Sequence, residues 1–407
     1  MRRLKSKVIT DPARVDRLLS RGIAEIVDKA HLKAALLSGK QLRIKLGIDP
    51  TGENLHLGHS INLLKLKDFQ DLGHQIVFII GDATAEVGDT SDKDSERPML
   101  VKKEIQKNKK TYLAQVGKII DLSCAEVEHN GKWLNKLTFR DIGEQANLFS
   151  VSDFISRDNI KRRLTAGKRV SLRETLYPLM QGYDSVAVRA NVELGGTDQW
   201  FNLLAGRVMQ EYYKQEPQDI LITRILTAGD GRKMSKSLGN TINILDAAED
   251  MYGKAMRIDD VLITEYMELT TRIPEEEILE YKQRLVAGEN PKNIKQILAR
   301  VLVSTYHSEK DATKAEDAFQ KTFSEKKMPD TMPEVLIEEG ETLENALPTT
   351  LMSSKSHLRR LVAQGAVHDM ESGEKIKDSK RRIVVPLILK LGKRTFVRIT
   401  VRKKKKE

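Results

Sequence analysis

The chain has a single cysteine, Cys124, among its 407 residues. One cysteine excludes an internal disulfide and a thiolate metal cluster, and it is typical of a reducing compartment. No apolar run reaches the length of a membrane span. The basic start Met1-Arg2-Arg3 is not followed by the apolar stretch of a secretory signal. These absences predict a cytoplasmic protein that does not enter a membrane.

Negative charge is the minority: 58 Asp and Glu stand against 69 Lys and Arg, for a net charge of +11. Such an excess favours a polyanionic partner, although it does not say which one. The length is too great for one small core and predicts two to three domains.

Residues 43–59 carry the most informative pattern. Alternation of Ile44, Leu46 and Ile48 with small or polar residues predicts a strand buried on one face. Pro50 ends it, and His56-Leu57-Gly58-His59 then opens a segment with helical spacing of apolar residues. Unpaired N–H groups and a partial positive charge at a helix start attract phosphate, and a glycine lets a flat base approach. We therefore predict a nucleotide site here, the alternative being an ordinary polar helix start.

The continuous apolar run Gln75–Ile80 predicts a second strand, buried on both faces. A crossover of this length between strands implies parallel pairing, so the loop 81–90 lies at the carboxyl edge, where ligands bind in open α/β sheets. Before this unit, residues 13–40 have the pattern of two helices. After it, residues 99–190 are mostly helical by pattern, with a turn at 129–131.

Tyr177, Gln181 and Asp184 fall on one face of a predicted helix. Three hydrogen-bonding groups on a face expected to be apolar predict a polar pocket, or else an interface or surface face. The segment 192–199 follows as a short strand that runs into two glycines and an acidic loop, which is suited to a ribose. Glycines also bracket Lys233 and Lys236 in the loop 227–240. Alone this would be a solvated loop, but beside His-x-Gly-His it predicts the second half of a triphosphate site.

Residues 247–323 have a helical pattern broken at Asn290-Pro291, and residues 326–343 look like an extended linker. In the last unit, 344–407, a helix capped by Ser353 or Ser354 precedes strands near 382–390 and 394–402. Basic residues of this unit predict an RNA-backbone surface, the alternative for its tail being an aid to solubility. They include Arg359, Arg360, Lys393 and Arg394.

The motifs His56-Leu57-Gly58-His59 and Lys233-Met234-Ser235-Lys236-Ser237, in this order after a parallel βαβ start, resemble the two signatures of class I aminoacyl-tRNA synthetases. Further segments resemble the bacterial-type tyrosyl-tRNA synthetases, and the likeness covers almost the whole chain. They are Asp49-Pro50-Thr51, Gly88-Asp89, residues 177–184 and Gly195-Gly196-Thr197-Asp198-Gln199-Trp200.

The resemblance implies a role for each matching position. Catalytic stabilisation of the triphosphate would come from Thr51, His56, His59, Lys233 and Lys236. Tyrosine would be bound by Lys45, Asp89, Tyr177, Gln181, Asp184 and Gln199, with Asp184 accepting from the phenol. ATP or the adenylate would be contacted by Gly47, Asp49, Gly58, Gly196, Asp198 and Ser237. Lys45 departs from the family pattern, since many members have a second tyrosine there, and Leu46 replaces a polar residue of several relatives.

The implied architecture is α/β: a Rossmann-like parallel-sheet catalytic domain (1–240) with an inserted helical dimerisation region near 110–195. An α-helical tRNA-binding domain (241–325) and a small α+β RNA-binding domain like a ribosomal protein (344–407) follow. The implied substrates are tyrosine, tRNA(Tyr) and ATP with magnesium, in a homodimer without a protein-ligated metal. Alternatives are a nucleotidyltransferase that uses His-x-Gly-His, a tryptophan-specific relative, and an RNA-binding or splicing accessory protein.

Overall fold

The computed structural model describes residues 7–91, 95, 99–227, 234, 241–323, 332–347, 354–392 and 395–402. The chain forms two compact units, Met1–Ala312 and Thr313–Glu407, with the boundary inside one helix. Within the described residues, no helix is long and apolar enough to span a membrane.

The described residues of the first unit form six strands and most of the helices. The strands are β1 Ile23–Ile26, β2 Arg43–Ile48, β3 Gln75–Ile80, β4 Glu126–His129, β5 Val192–Gly196 and β6 Asp219–Thr223. The helices before β5 are α1 Pro12–Leu18, α2 Lys29–Leu37, α3 Leu57–Asp71, α4 Asp82–Val87, α5 Lys102–Lys109, α6 Tyr112–Val116, α7 Gly131–Leu134, α8 Phe139–Ala146, α9 Val151–Ile155, α10 Asp158–Thr165 and α11 Arg173–Val188. Those after it are α12 Trp200–Tyr212, α13 Ala248–Ala255, α14 Ile263–Thr270, α15 Glu275–Val286, α16 Pro291–Tyr306 and α17 Glu309–Phe323, the last crossing the unit boundary.

The six strands form one sheet in the order β1-β6-β5-β2-β3-β4. All neighbours are parallel except β1 and β6. The chain builds outward from β2 through β3 to β4, and then starts again on the other side of β2 with β5 and β6. The strand order therefore reverses between β2 and β5, and in such sheets the crevice at the carboxyl ends of the two strands binds ligands.

The structure confirms the central βαβ unit, because β2 and β3 pair in parallel with α3 between them. It also places a strand within each of two segments that the pattern predicts as helical or mostly helical. Within residues 13–40 the chain forms α1, the edge strand β1 and α2, and within 99–190 it forms the strand β4, directly before the predicted turn. Both strands have only four residues and lie at the sheet edges, where half-exposed side chains give little alternation.

The segment 247–323 is helical as predicted, and its break is a helix start: the Asn290 side chain accepts from the Lys292 N–H and Pro291 is the first residue of α16. The sequence-based boundary at residue 240 does not coincide with a unit boundary, because residues 1–312 cluster together.

The second unit contains β7 Glu334–Glu338, β8 Glu341–Thr342, α18 Leu343–Ala346, α19 Lys355–Ala363, β9 Val367–Asp369, β10 Arg382–Ile383, β11 Leu387–Leu391 and β12 Thr395–Arg402. Four strands form a sheet in the order β7-β12-β11-β9, and β8 pairs with β10. The prediction of a linker over 326–343 is wrong for 334–342, because β7 pairs in parallel with the distant β12. Ser354 caps α19 as predicted, whereas Ser353 lies outside the described residues.

Candidate active site

A cleft of about 490 Å³ opens at the reversal point of the sheet, beside the carboxyl ends of β2 and β5. The start of α3 and one face of α11 complete its walls. Every described residue predicted for catalysis or substrate binding lines this cleft. They are Lys45, Gly47, Asp49, Thr51, His56, Gly58, His59, Asp89, Tyr177, Gln181, Asp184, Gly196, Asp198 and Gln199.

Two imidazoles stand at the helix start. His56 is the N-cap of α3, and its Nδ1 accepts from the Gly58 N–H at 3.1 Å, while Nδ1 of His59 accepts from the His56 N–H at 3.2 Å. In a neutral ring with Nδ1 as acceptor the proton lies on Nε2, so that atom of each imidazole is a donor. A Cβ at Gly58 would stand 2.9 Å from His56 Cε1, closer than real contacts allow. The glycine is therefore needed for this arrangement of donors.

The lysine-rich motif is described at one position only. Met234 lines the cleft and donates its N–H to the Leu226 carbonyl, whereas Lys233, Lys236 and Ser237 lie outside the described residues. Residues shortly after the motif reach the helix start: the Leu57 N–H donates to the Ile242 carbonyl at 3.0 Å. The described neighbours of the motif thus lie beside the two imidazoles, although the two stretches are far apart along the chain.

Asp49, at the end of β2, accepts hydrogen bonds from Thr84 Oγ1 at 2.7 Å and from the Tyr177 hydroxyl at 3.0 Å. Burial raises the pKa of Asp49 to about 7, against these two donors. Burial and the neighbouring carboxylates raise the pKa of the Tyr177 phenol, which therefore stays neutral and donates.

Asp89, in the loop after α4, accepts from Gln199 Nε2 at 2.7 Å and from the Ser91 N–H at 2.9 Å. Arg157 holds Ser91 in turn, donating to its hydroxyl at 2.7 Å. This carboxylate, predicted to bind the amino acid, is therefore fixed from two sides, by the turn after β5 and by the inserted helices.

Asp184 lies on α11 with 4% of its surface exposed. Its Oδ1 accepts from Trp133 Nε1 at 2.7 Å and its Oδ2 from Asn130 Nδ2 at 3.1 Å. Burial raises the pKa of this carboxyl to about 6, against the charge of Lys45 and the two donors. At neutral pH Asp184 is therefore an ionised acceptor inside the cleft.

Residues 37–324 match the family of class I tRNA synthetases for W and Y. The chain belongs to this family. It is 44% identical over 389 residues to the tyrosine–tRNA ligase of Thermotoga maritima, covering 94% of this chain and 96% of the relative. It is also 44% identical to that of Carboxydothermus hydrogenoformans, covering 95% and 97%.

Solved structures agree on the fold. The C-terminally truncated mitochondrial tyrosyl-tRNA synthetase of Aspergillus nidulans superposes with a TM-score of 0.64 at 20% identity. The match covers 76% of this chain and 94% of that one.

Sequence reasoning missed several polar groups of this synthetase's cleft. Glu193, on β5, forms an ion pair with Lys45 at 2.9 Å, and Asn130 and Trp133 hold Asp184. In the sequence, Glu193 is one polar residue in a short predicted strand. The ion pair becomes apparent only when the strand register places Glu193 opposite Lys45. Asn130 and Trp133 follow the overlooked strand β4.

The residues predicted to bind RNA are only partly described. Arg359 and Arg360 are exposed on α19, and the Arg359 guanidinium already donates to Glu344 at 2.9 Å. Lys393 and Arg394 lie outside the described residues. Within the described part of the chain, no three or more His, Cys, Asp or Glu side chains form a group that could hold a metal ion.

A second cavity of about 210 Å³ lies between α1, α3 and α14. Its cationic residues serve as structural ties: Arg21 donates to four backbone carbonyls at and beyond the end of α14, and Lys65 donates to the Leu18 carbonyl at 2.8 Å. These hydrogen bonds tie the segment that follows α1 to α14 and tie α3 to α1.

Proposed function

We propose that this synthetase is a tyrosine–tRNA ligase, which activates L-tyrosine with ATP and transfers it to the 3′ end of tRNA(Tyr). The observation that carries the proposal is one cleft that holds both the imidazole pair at the start of α3 and the buried acceptor Asp184. The first suits a triphosphate, and the second suits a side chain with a hydroxyl group.

In the first step the tyrosine carboxylate attacks the α-phosphorus of ATP in line. The bond from the α-phosphorus to the oxygen that bridges it to the β-phosphate breaks, and pyrophosphate leaves with that oxygen. ATP enters as its magnesium complex. The attacking carboxylate is already ionised, so the protein needs no nucleophile or general base. Catalysis consists of positioning and of stabilising charge on the leaving phosphates. Thr51, His56, His59, Lys233 and Lys236 are assigned to that charge.

At the amino-acid end, Asp89, Tyr177 and Gln181 are assigned to the ammonium group and Asp184 to the phenolic hydroxyl. Gln199 is assigned to the amino acid as well, and Gly47, Asp49, Gly58, Gly196, Asp198 and Ser237 are assigned to the adenylate. The hydrogen bond between Gln199 and Asp89 supports the assignment of the amino-acid end, because it fixes the Asp89 carboxylate before substrate binds. The hydrogen bond between Tyr177 and Asp49 joins this end to the adenylate end.

A homodimer joined through the inserted helices is part of the proposal. Large apolar side chains lie exposed in that region, which favours a protein interface. They are Phe139 (92% exposed), Val151 (75%), Ile155 (45%), Leu164 (46%) and Leu172 (81%). We propose further that the enzyme acts in the cytoplasm and that the basic second unit contacts tRNA.

Pyrophosphate exchange into ATP, measured with each of the twenty amino acids, tests the proposal. We expect exchange with tyrosine and a much slower reaction with phenylalanine and tryptophan. Exchange that depends on tryptophan, or that is independent of amino acid, would overturn it. Light scattering of the intact chain, compared with a Phe139→Asp, Leu172→Asp variant, tests the dimer: the parent should have twice the variant's mass.

A further inference from the structure

The ion pair of Lys45 and Glu193 lines the cleft, and the steps proposed above give the pair no role. Lys45 and Glu193 are register partners on the neighbouring strands β2 and β5, and each is 1% exposed. Burying two charges costs desolvation free energy that their attraction does not reliably return, so stability alone is a weak reason for such a pair. Its place at the substrate cleft points to a functional reason.

The ammonium of Lys45 has no donor left for a substrate. Its three N–H groups have three acceptors in the protein: the Gln181 carbonyl at 2.9 Å, Ser185 Oγ at 2.7 Å and Glu193 Oε1 at 2.9 Å. Lys45 therefore lines the cleft without offering it a hydrogen bond. The direct contact with tyrosine predicted from the sequence would require breaking one of these bonds.

Glu193 organises the groups around that ammonium. Its Oε1 accepts from Gln181 Nε2 at 3.1 Å as well as from Lys45, and its Oε2 accepts from Ser185 Oγ at 3.0 Å and from Gln218 Nε2. One carboxylate thus holds the Lys45 ammonium and the Gln181 side chain, and Gln181 faces the cleft.

The charge of Lys45 acts on Asp184, one helical turn from Gln181. Burial raises the pKa of Asp184, the Lys45 ammonium opposes that rise, and the Glu193 carboxylate adds to it more weakly. Donors from Trp133 and Asn130 also favour the ionised form. The carboxylate of Asp49 and the phenol of Tyr177, which lies on the same helix face, are further titratable groups that interact with Asp184. An ionised acceptor makes a hydrogen bond about twice as strong as a neutral one.

We propose that Lys45 and Glu193 are positioning residues for amino-acid selection: Glu193 holds the Lys45 ammonium and the Gln181 amide, and the held cation favours the carboxylate form of Asp184 that accepts the substrate's hydroxyl. This inference rests on the proposed function. It explains how a lysine that does not contact the phenol contributes to a pocket that selects a phenol.

The test compares Lys45→Met, Glu193→Gln and the double variant with the parent enzyme. Pyrophosphate exchange with tyrosine and with phenylalanine gives kcat and KM from about pH 5.5 to pH 8.5, a range that brackets the titration of Asp184. The two single variants remove opposite charges at nearly constant side-chain volume.

Lys45→Met should raise KM for tyrosine on the order of tenfold with little change in kcat, because a charge-assisted bond to the hydroxyl is weakened but the phosphate end is untouched. KM for phenylalanine should change little. The acidic limb of kcat/KM should move to higher pH in Lys45→Met and to lower pH in Glu193→Gln. A merely structural role would not move the two limbs in opposite directions.

The double variant guards against misfolding, because it leaves no unpaired buried charge. Because Lys45 has a larger effect on Asp184 than Glu193 has, the acidic limb of the double variant should also move to higher pH. Lys65→Met is a matched control, since Lys65 is a lysine of α3 that is 5% exposed and paired with Asp68 outside the cleft. It should keep the parent limb. A folded double variant with the parent's KM, selectivity and pH limb would overturn the inference, whereas a parent enzyme inactive with tyrosine would refute the proposed function instead.

Discussion

Replacement of Asp184 by asparagine should have two effects of opposite sign. The variant loses the ionised acceptor for the substrate hydroxyl, which weakens the selection of tyrosine. It also loses a carboxylate whose charge is costly to bury in the free protein. Tyrosine binding should therefore weaken, while the stability of the variant relative to the parent should improve as the pH rises to neutral.

The loss in binding follows from one hydrogen bond. A bond to a charged acceptor contributes about 1.5–3 kcal/mol, which corresponds to a roughly 10- to 150-fold rise in KM for tyrosine. Phenylalanine has no hydroxyl to offer Asp184, so its KM should change little. The preference for tyrosine should fall by the same factor.

The effect on stability depends on pH. Burial raises the pKa of Asp184 from 3.8 to about 6. Below about pH 4 the carboxyl is neutral in the folded and unfolded chain, and above about pH 6 the folded chain must carry a charge that the unfolded chain carries at lower cost. A raised acid pKa thus lowers stability as pH rises, by about 3 kcal/mol for two pKa units.

Asparagine does not titrate, so the stability of the variant relative to the parent should improve by about 3 kcal/mol between about pH 4 and pH 7. A constant cost of about 1–3 kcal/mol accompanies this change, because Trp133 or Asn130 then faces an amide N–H instead of an acceptor. Chemical denaturation followed by the fluorescence of the two tryptophans, Trp133 and Trp200, measures it. A relative stability independent of pH, or equal losses for tyrosine and phenylalanine, would contradict this role of Asp184.

Three further predictions concern other parts of the chain. His59→Asn or Lys236→Ala should slow pyrophosphate exchange on the order of 10²- to 10³-fold while tyrosine affinity, measured by equilibrium dialysis, stays similar; unchanged exchange rates would contradict their assignment. A chain that ends at residue 331, before the first strand of the second sheet, should keep exchange activity but charge tRNA poorly; equal charging would argue against an RNA role for that unit. Arg163→Met should destabilise the protein by about 3–5 kcal/mol in chemical denaturation, because it leaves Glu174 buried without its partner; a shift under about 1 kcal/mol would show that the pair is not needed.

The centre of the fold was predictable because its signals are local. Strand β3 has five apolar residues in a row after Gln75, and β2 alternates apolar with polar or small residues. Pro50 and the His56 cap mark the turn into α3. Strands β1 and β4 escaped prediction because four residues at a sheet edge carry too little periodicity to outweigh the helical neighbours. Strand β7 escaped because its partner, β12, lies about sixty residues later and the prolines before it indicate a linker.

At the candidate site, too, local features were predictable and contacts between distant segments were not. His56, Gly58 and His59 act within one helix start, so their spacing in the sequence already carries the geometry. The Lys45–Glu193 pair depends on β2 lying beside β5, and the hold on Asp184 depends on α7 lying against α11. These are tertiary contacts between segments more than fifty residues apart, for which one sequence contains no direct signal.

A crystal structure of the full chain with a non-hydrolysable tyrosyl-adenylate analogue would show both ends of the site at once. We expect the phenolic oxygen within hydrogen-bond distance of an Asp184 oxygen, and the phosphate group of the analogue between the His56–His59 helix start and the segment 233–237. An analogue bound with its phenol away from Asp184, or with its phosphate group remote from both imidazoles, would contradict this arrangement.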